Sequence, residues 1–338
     1  MAKRSVAYVW IMLPSTSRIT ALQRLQRGLS TVELVHTPHE RWPLPHTGLL
    51  PVHGRRQHSL RIAVLDSSFN PPTLAHLALA NSALPHYSDI PMNTSGLPSS
   101  KECEYDARLL LLSVRNADKS LKPSDATYIQ RLEMMGLLTR DIVVNDKRSP
   151  SIYDANVAVA IIDEPTFVGK SATLLSFLRQ RFALLMSSPP PDTPSDDELF
   201  AFIPIPQLIF LQGFDTLERL LSPQYYSSEE AMLHSLRHFF SSHGDDSRVV
   251  CARRGMQEQR CHSNRSEREQ HVLSSVKEFV ESERIVMIDI GKDEQSFSSS
   301  EIREKIARGN CNWRNMTTPH IANYIVEQRL YQESDPST

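Results

Sequence analysis

Arg61-Ile-Ala-Val-Leu-Asp66 runs directly into Ser67-Ser-Phe-Asn-Pro-Pro-Thr-Leu-Ala-His76, and this junction decides the fold. The short apolar run predicts a buried strand. Asn70, Pro71 and Pro72 are loop chemistry. The Ala/Leu-rich stretch from Leu74 to Leu84 predicts a helix with Thr73 as its N-cap. Together they make one strand–loop–helix unit. Thr73 and His76, three residues apart, can face the same side of the first helical turn. Free backbone N–H groups and the helix dipole attract phosphate there, and an imidazole beside them can donate to a phosphate oxygen. No Gly-x-x-x-x-Gly-Lys occurs, so the turn is not a P-loop.

Further apolar runs repeat the pattern along the chain. Strands are predicted over Asp106–Val114, Val157–Asp163, Leu208–Leu211 (ending at Gly213), Val249–Cys251 and Ile285–Ile290. Helices are predicted over Tyr128–Arg140, Ala172–Leu185 and Met232–Phe240, around 266–281, and near 299–308 and 318–330. Strands that alternate with helices imply crossover units, hence an α/β, Rossmann-like doubly wound parallel sheet covered on both faces. Ligands of such sheets bind at the carboxyl ends of the strands. The polar stretch 86–105 and the Pro-, Ser- and acid-rich stretch 187–198 read as surface insertions, and no internal repeat is found. The domain is therefore placed at 60–332, behind an extension and linker (1–59) and ahead of a short tail (333–338).

A second anion cradle lies near the carboxyl end. Phe297-Ser-Ser-Ser-Glu-Ile-Arg303 follows the last strand and opens a helix. Ser298, Ser299 or Ser300 can cap it. Arg303, one turn after Ser300, can bridge two phosphates with its guanidinium. A Ser-rich cap followed by Arg is common by itself. Its weight comes from standing after the last strand, more than 200 residues beyond the first cradle.

Composition limits what the chain can do. Over 338 residues, 40% are hydrophobic and 22% charged, and the formal charge is −2, so a large core can form. That balance gives no support to a nucleic-acid or membrane-surface binder. The longest apolar run near the amino terminus, Val6 to Leu13, is far short of the ~18 residues that span a bilayer. Cys103, Cys251, Cys261 and Cys311 are scattered, which disfavours a disulfide scaffold or structural zinc site and fits a reducing compartment. His262 beside Cys261 has no further ligand spaced to complete a metal site, so no metal-ligating residue is assigned. Residues 1–32 carry Lys3, Arg4, Arg18, Arg24 and Arg27 and no acid. That bias reads either as a mitochondrial presequence or as a plain extension, so the expected compartment is cytoplasm or nucleus with the mitochondrion as alternative. Pro43, Pro45 and Pro51 break any helix, and 42–59 reads as a linker.

The first cradle resembles the Gly-Ser-Phe-Asn-Pro-Pro-Thr-x-x-His signature of the nicotinamide/nicotinate mononucleotide adenylyltransferases, and most of all their fungal branch. The second resembles that family's Ser-Ser-Thr-x-x-Arg signature. Ser67 stands where the family has Gly, and Ser300 where it has Thr. The resemblance covers roughly 60–332 and implies the nucleotidylyltransferase fold. It implies adenylyl transfer from ATP, with Mg²⁺, to nicotinamide or nicotinate mononucleotide, giving NAD or its deamido form and pyrophosphate. By the same resemblance Ser68, Phe69, Thr73, His76, Ser299, Ser300 and Arg303 bind ATP, with His76 and Arg303 catalytic. The mononucleotide falls to Lys119 and Lys122, to Phe167 and Thr173, to Gly213 and Asp215 of Gln212-Gly-Phe-Asp215, and to Arg253 (or Arg254) of Cys251-Ala-Arg-Arg-Gly255. Read structurally, each of these has a plainer role: solvated lysines, a core Phe, an N-cap for Asp215. The family's stacking tryptophans have no counterpart between Trp42 and Trp313, and Phe167 is the substitute. Thr318-Pro-His-Ile-Ala-Asn-Tyr-Ile325 looks like the family's closing helix, with Ile321 and Ile325 packing on the sheet.

Two alternatives stand beside this reading. One is transfer to another acceptor, such as phosphopantetheine, choline phosphate or glycerol phosphate, against which Asn-Pro-Pro-Thr argues. The other is a nucleotide-binding regulatory protein or weak ATPase on the same fold, for which Ser67 and the insertions leave room. The expected partners are ATP and the mononucleotide, with no nucleic acid and no membrane; a homo-oligomer stays open.

Overall fold

The computed structural model describes residues 15–44, 59–87, 104–115, 124–142, 156–187, 204–253, 269–270 and 272–332. Seven strands form one sheet: β1 (Val32–His36), β2 (Ser59–Asp66), β3 (Ala107–Ser113), β4 (Val157–Ile162), β5 (Ile205–Gly213), β6 (Arg248–Ala252) and β7 (Ile285–Ile288). Their order is β1-β4-β3-β2-β5-β6-β7. Pairing is parallel from β4 across to β7 and antiparallel only where β1 joins β4. The chain winds outward from β2 through β3 to β4. It then returns to lay β5 on the other side of β2. The direction of winding therefore reverses between β2 and β5, and a crevice opens at their carboxyl ends, Asp66 and Gly213.

The helices are α1 (Ser15–Gln26), α2 (Leu74–Ala80), α3 (Tyr128–Asp141), α4 (Phe167–Ser187), α5 (Phe214–Leu220), α6 (Glu229–Phe240), α7 (Lys277–Glu281), α8 (Ser299–Ala307) and α9 (Pro319–Glu327). Alternation along the strands sorts them into two layers. Ala63, Leu65, Leu110, Leu112, Ile209 and Leu211 meet α1, α2, α3, α8 and α9 on one face. Ile62, Val64, Leu109, Leu111, Leu208 and Phe210 meet α4, α5, α6 and α7 on the other. Strands buried on both sides read as continuous apolar runs, which is why β3 and β4 were conspicuous in the sequence. Ile321 and Ile325 of α9 are buried against the sheet, as expected.

The doubly wound sheet is as predicted, and the differences are local. The amino-terminal stretch, expected as extension and linker, supplies α1 and the edge strand β1. Leu25, Trp42 and Leu44 are buried in the core. Trp42 donates from Nε1 to the Asn156 carbonyl at 3.0 Å, and Asn156 donates from Nδ2 to the Pro43 carbonyl at 2.9 Å. Prolines exclude a helix, but they do not exclude burial of the tryptophan beside them. The rest of the expected linker (45–58) and most of the two expected insertions (88–103 of 86–105, and 188–198 of 187–198) lie outside the described residues. Helix α2 stops at Ala80, with Asn81 as its C-cap, four residues before the expected end. Among the described residues no helix is long and apolar enough to cross a membrane.

Candidate active site

The loop after β2 brings the first cradle to the crevice. The backbone N–H of Thr73 donates to His76 Nδ1 at 3.0 Å, and Thr73 Oγ1 lies 2.9 Å from the same nitrogen. His76 thus takes the place a Glu or Gln holds in a capping box, which gives the three-residue spacing a structural cause. Its other nitrogen, Nε2, is 2.8 Å from Ser67 Oγ. Burial pulls the imidazole pKa down to about 4, so the ring is neutral near pH 7. Phe69 has φ of +44°, uncommon for a bulky residue, and its ring packs tilted against that of His76 with centroids 5.3 Å apart. That ring is fully buried. Ser68 is exposed, and Thr73 is buried.

The second cradle closes on the first. Of its three serines, Ser298 caps α8 by accepting from the Glu301 N–H at 3.2 Å. Ser299 donates to the Pro71 carbonyl at 2.7 Å. Ser300 is exposed and lies 3.4 Å from Arg303 Nη2. Arg303 donates from Nη1 to the Asn70 carbonyl at 2.5 Å. Thr317 adds a further bond to the Pro72 carbonyl at 2.7 Å. The carbonyls of Asn70, Pro71 and Pro72 are therefore all taken by the carboxyl-terminal segment. Ser299 and Arg303 thus bond to the loop that leads into the helix carrying His76.

A carboxylate that the sequence reading missed joins the two. Asp125 accepts from Asn70 Nδ2 at 2.7 Å and lies 3.7 Å from both Arg303 Nε and Arg131 Nη2. Asn70 Oδ1 in turn accepts from the Tyr331 hydroxyl at 2.9 Å and the Ala126 N–H at 3.2 Å. Arg131 reaches the Ser68 carbonyl at 3.4 Å. Asp125 precedes the Thr127–Gln130 capping box of α3. In the sequence it reads as a loop acid, with nothing to name its partners.

Of the residues expected to take the mononucleotide, Phe167, Thr173, Gly213, Asp215 and Arg253 are described, and they follow the carboxyl ends of β4, β5 and β6. Phe167 opens α4 and Thr173 lies two turns on, half-buried. Gly213 is the N-cap of α5, and a Cβ there would meet nothing within 4 Å, so the space above it is open. Asp215 falls in the first turn of α5 rather than at its cap, and is exposed. Arg253 immediately follows β6, exposed and ion-paired to Glu269. Lys119, Lys122, Arg254, Cys261 and His262 lie outside the described residues.

Here too the sequence reading missed a polar group. Lys170 of α4 pairs with Asp66, the last residue of β2, at 2.6 Å, with both side chains only 7% exposed. The Lys170 ammonium lies 4.9 Å from the centroid of Phe167. Register pairs Leu65 with Leu211, so Gln212 follows beside Asp66. Both amide atoms of Gln212 are buried without a hydrogen-bond partner among the described residues. The crevice thus has a neutral histidine and an arginine on one side of β2, and a buried ion pair and an orphaned amide on the other. Among the described residues no group of three or more His, Cys, Asp or Glu is placed to hold a metal.

No family model matches the chain. A curated protein of Schizosaccharomyces pombe, "Putative nicotinamide mononucleotide adenylyltransferase", is 32% identical over 190 residues. The match takes in 56% of this chain and 52% of that protein, so the chain spans about half the length of the curated relative it matches. The relative carries the family name that the two motifs suggest. Two solved structures of Plasmodium falciparum nicotinic acid mononucleotide adenylyltransferase are also similar. The complex with NaAD has 16% identity and a TM-score of 0.42, covering 81% of this chain and 98% of that one. The complex with APC has 14% identity and a TM-score of 0.40, covering 80% and 97%.

Proposed function

We propose that the chain transfers the adenylyl group of Mg·ATP to nicotinamide or nicotinate mononucleotide. The 5′-phosphate of the mononucleotide attacks the α-phosphate. The bond from that phosphorus to the bridging oxygen breaks, and pyrophosphate leaves with its electron pair. The attacking oxygen is already an anion, so no strong general base is needed. Catalysis then consists of holding two polyanions together and spreading the charge that moves onto pyrophosphate.

The observation that carries this reading is the pair of bonds between cradles 228 and 233 residues apart, Ser299 to Pro71 and Arg303 to Asn70. They put the Arg303 guanidinium beside the loop that holds His76, which is what one triphosphate gripped from two ends requires. In this reading Arg303 keeps Nη1 on Asn70 and offers Nη2, next to Ser300, to the β- and γ-phosphates. Ser68 and the Phe69 backbone meet the nucleotide from the loop. The mononucleotide lies toward Gly213, Asp215, Phe167 and Thr173, with Arg253, Lys119 and Lys122 for its phosphate. Mg²⁺ would enter with ATP as part of the substrate and would offset charge on the triphosphate, with no protein ligand assigned to it. The S. pombe relative's name supports the same acceptor.

A second reading, nucleotide binding without efficient transfer, draws on one contact: Ser67 covers the outer nitrogen of His76. The two part cleanly when the full chain is incubated with Mg·ATP and each mononucleotide. Adenylyl transfer yields NAD or deamido-NAD with an equal amount of pyrophosphate. ATP binding with no pyrophosphate release from either mononucleotide rejects transfer, and phosphopantetheine, choline phosphate or glycerol phosphate as working acceptors would reject this choice of substrate.

A further inference from the structure

We propose that Ser67, rather than His76, donates the hydrogen bond to the triphosphate, and that His76 is a positioning residue behind it. This rests on the adenylyl-transfer reading above. The argument begins with a donor that cannot be reversed. A backbone N–H can only donate, so the Thr73 N–H at 3.0 Å makes Nδ1 of His76 an acceptor. A neutral imidazole then carries its single hydrogen on Nε2. Nε2 is 2.8 Å from Ser67 Oγ, so that hydrogen goes to the serine oxygen. His76 has no further hydrogen to give.

Ser67 does. Its oxygen accepts from His76, which leaves its own hydrogen free, and among the described residues no acceptor takes it. A hydroxyl that accepts one bond becomes a stronger donor of the next. The run Thr73 N–H to Nδ1, Nε2–H to Oγ and Oγ–H outward thus ends on a polarised donor. The Ser67 N–H bonds to the Leu111 carbonyl at 3.3 Å, which fixes the serine at the end of β2 in the crevice. Its side chain is half-buried, so one side remains open. The Phe69 ring, 5.3 Å from the imidazole, holds the ring plane. The ligand suited to this donor is a phosphate oxygen of a nucleoside triphosphate. Only hydrogen bonds form; no proton or group is transferred to Ser67.

The test compares wild type, Ser67→Ala, Ser67→Thr and the double variant Ser67→Ala/His76→Asn, all as full chains. Mg·ATP dissociation constants, adenylyl-transfer rates and melting temperatures are measured. Ala keeps the Cβ and so prevents phosphate from moving up to His76. The relay predicts that Ser67→Ala loses about 10- to 100-fold in transfer at an unchanged melting temperature. Ser67→Thr, which keeps the hydroxyl, recovers most of it. The double variant falls no more than about twofold below Ser67→Ala, because the two residues act as one unit. A Ser67→Ala variant as fast as wild type, or faster, overturns the proposal: the serine would then only block His76. If wild type binds Mg·ATP but transfers to neither mononucleotide, the enzymatic reading falls and affinity alone decides. About tenfold weaker ATP binding by Ser67→Ala then supports the donor role, and unchanged binding overturns it. A wild type that binds no Mg·ATP removes both.

Discussion

Arg303 donates to the backbone carbonyl of Asn70 at 2.5 Å across a sequence separation of 233 residues. The bond ties α8, which follows the last strand, to the loop after β2. It sets the guanidinium against the loop after β2 while leaving Nη2 on the side of Ser300. In the proposed function the same side chain both holds the loop and meets the triphosphate.

Replacement of Arg303 by Ala should lower adenylyl transfer by about 10²–10³, the scale for loss of one transition-state donor. Lysine should recover only part of this, since an ammonium cannot bond to Asn70 and a phosphate with a fixed fork. Steady-state kinetics on well-folded variants check the claim, and transfer at the wild-type rate in Arg303→Ala would refute it.

Asp125 should prove a positioning residue. It is the acceptor that Asn70, Arg131 and Arg303 share. Asp125→Ala leaves the Arg131 guanidinium, 7% exposed, without its carboxylate, at a cost of about 3 kcal/mol or more. Urea unfolding should register the loss. Substrate affinity should weaken too, because the loop after β2 loses the bond from Asn70 to Asp125, one of its ties to the start of α3.

The pair between Lys170 and Asp66 is buried on both sides. Removing one partner strands a charge in the core, so Lys170→Met should destabilise the fold by about 3–5 kcal/mol. The double change Asp66→Asn/Lys170→Met should restore a good part of that. A double variant no more stable than the single one would contradict this account of the pair.

His76 makes a prediction about acid. Its folded pKa, about 4, lies below the ordinary 6.5 because burial disfavours the imidazolium. Between these values the unfolded chain binds more protons, so stability rises with pH. The contribution is complete above pH 6.5 and is lost as pH falls toward 4, by an amount on the order of 3 kcal/mol. Protonation would also place a hydrogen on Nδ1, where Thr73 now donates. His76→Asn should therefore flatten the stability profile between pH 6.5 and 4. An equally steep profile in the variant would count against the buried neutral ring.

The sheet was readable because its central strands are apolar on both faces, and the loop because two prolines and an asparagine admit little else. The convergence of the cradles was readable only from two motifs in the right order. Asp125, Lys170, Asp66 and Gln212 were not readable, since an isolated polar residue in a sequence carries no mark of its partner. Helix α4 begins five residues before its expected start and takes in Gly169. In the structure a Cβ at that position would fall 2.4 Å from the Glu164 carboxyl, so the glycine serves the turn that Glu164 and Thr166 fold beneath it. Edge strand β1 was hidden for another reason: only its pairing with β4, far along the chain, makes it a strand.

Titration of Mg·ATP into the full chain and into Arg303→Ala, followed by calorimetry, tests most directly whether both cradles grip one triphosphate. The account predicts one site per chain in the wild type and affinity weakened at least about tenfold by the substitution, the loss expected for a charge-assisted hydrogen bond. No heat of ATP binding in the wild type, or equal affinity in the two proteins, would contradict it.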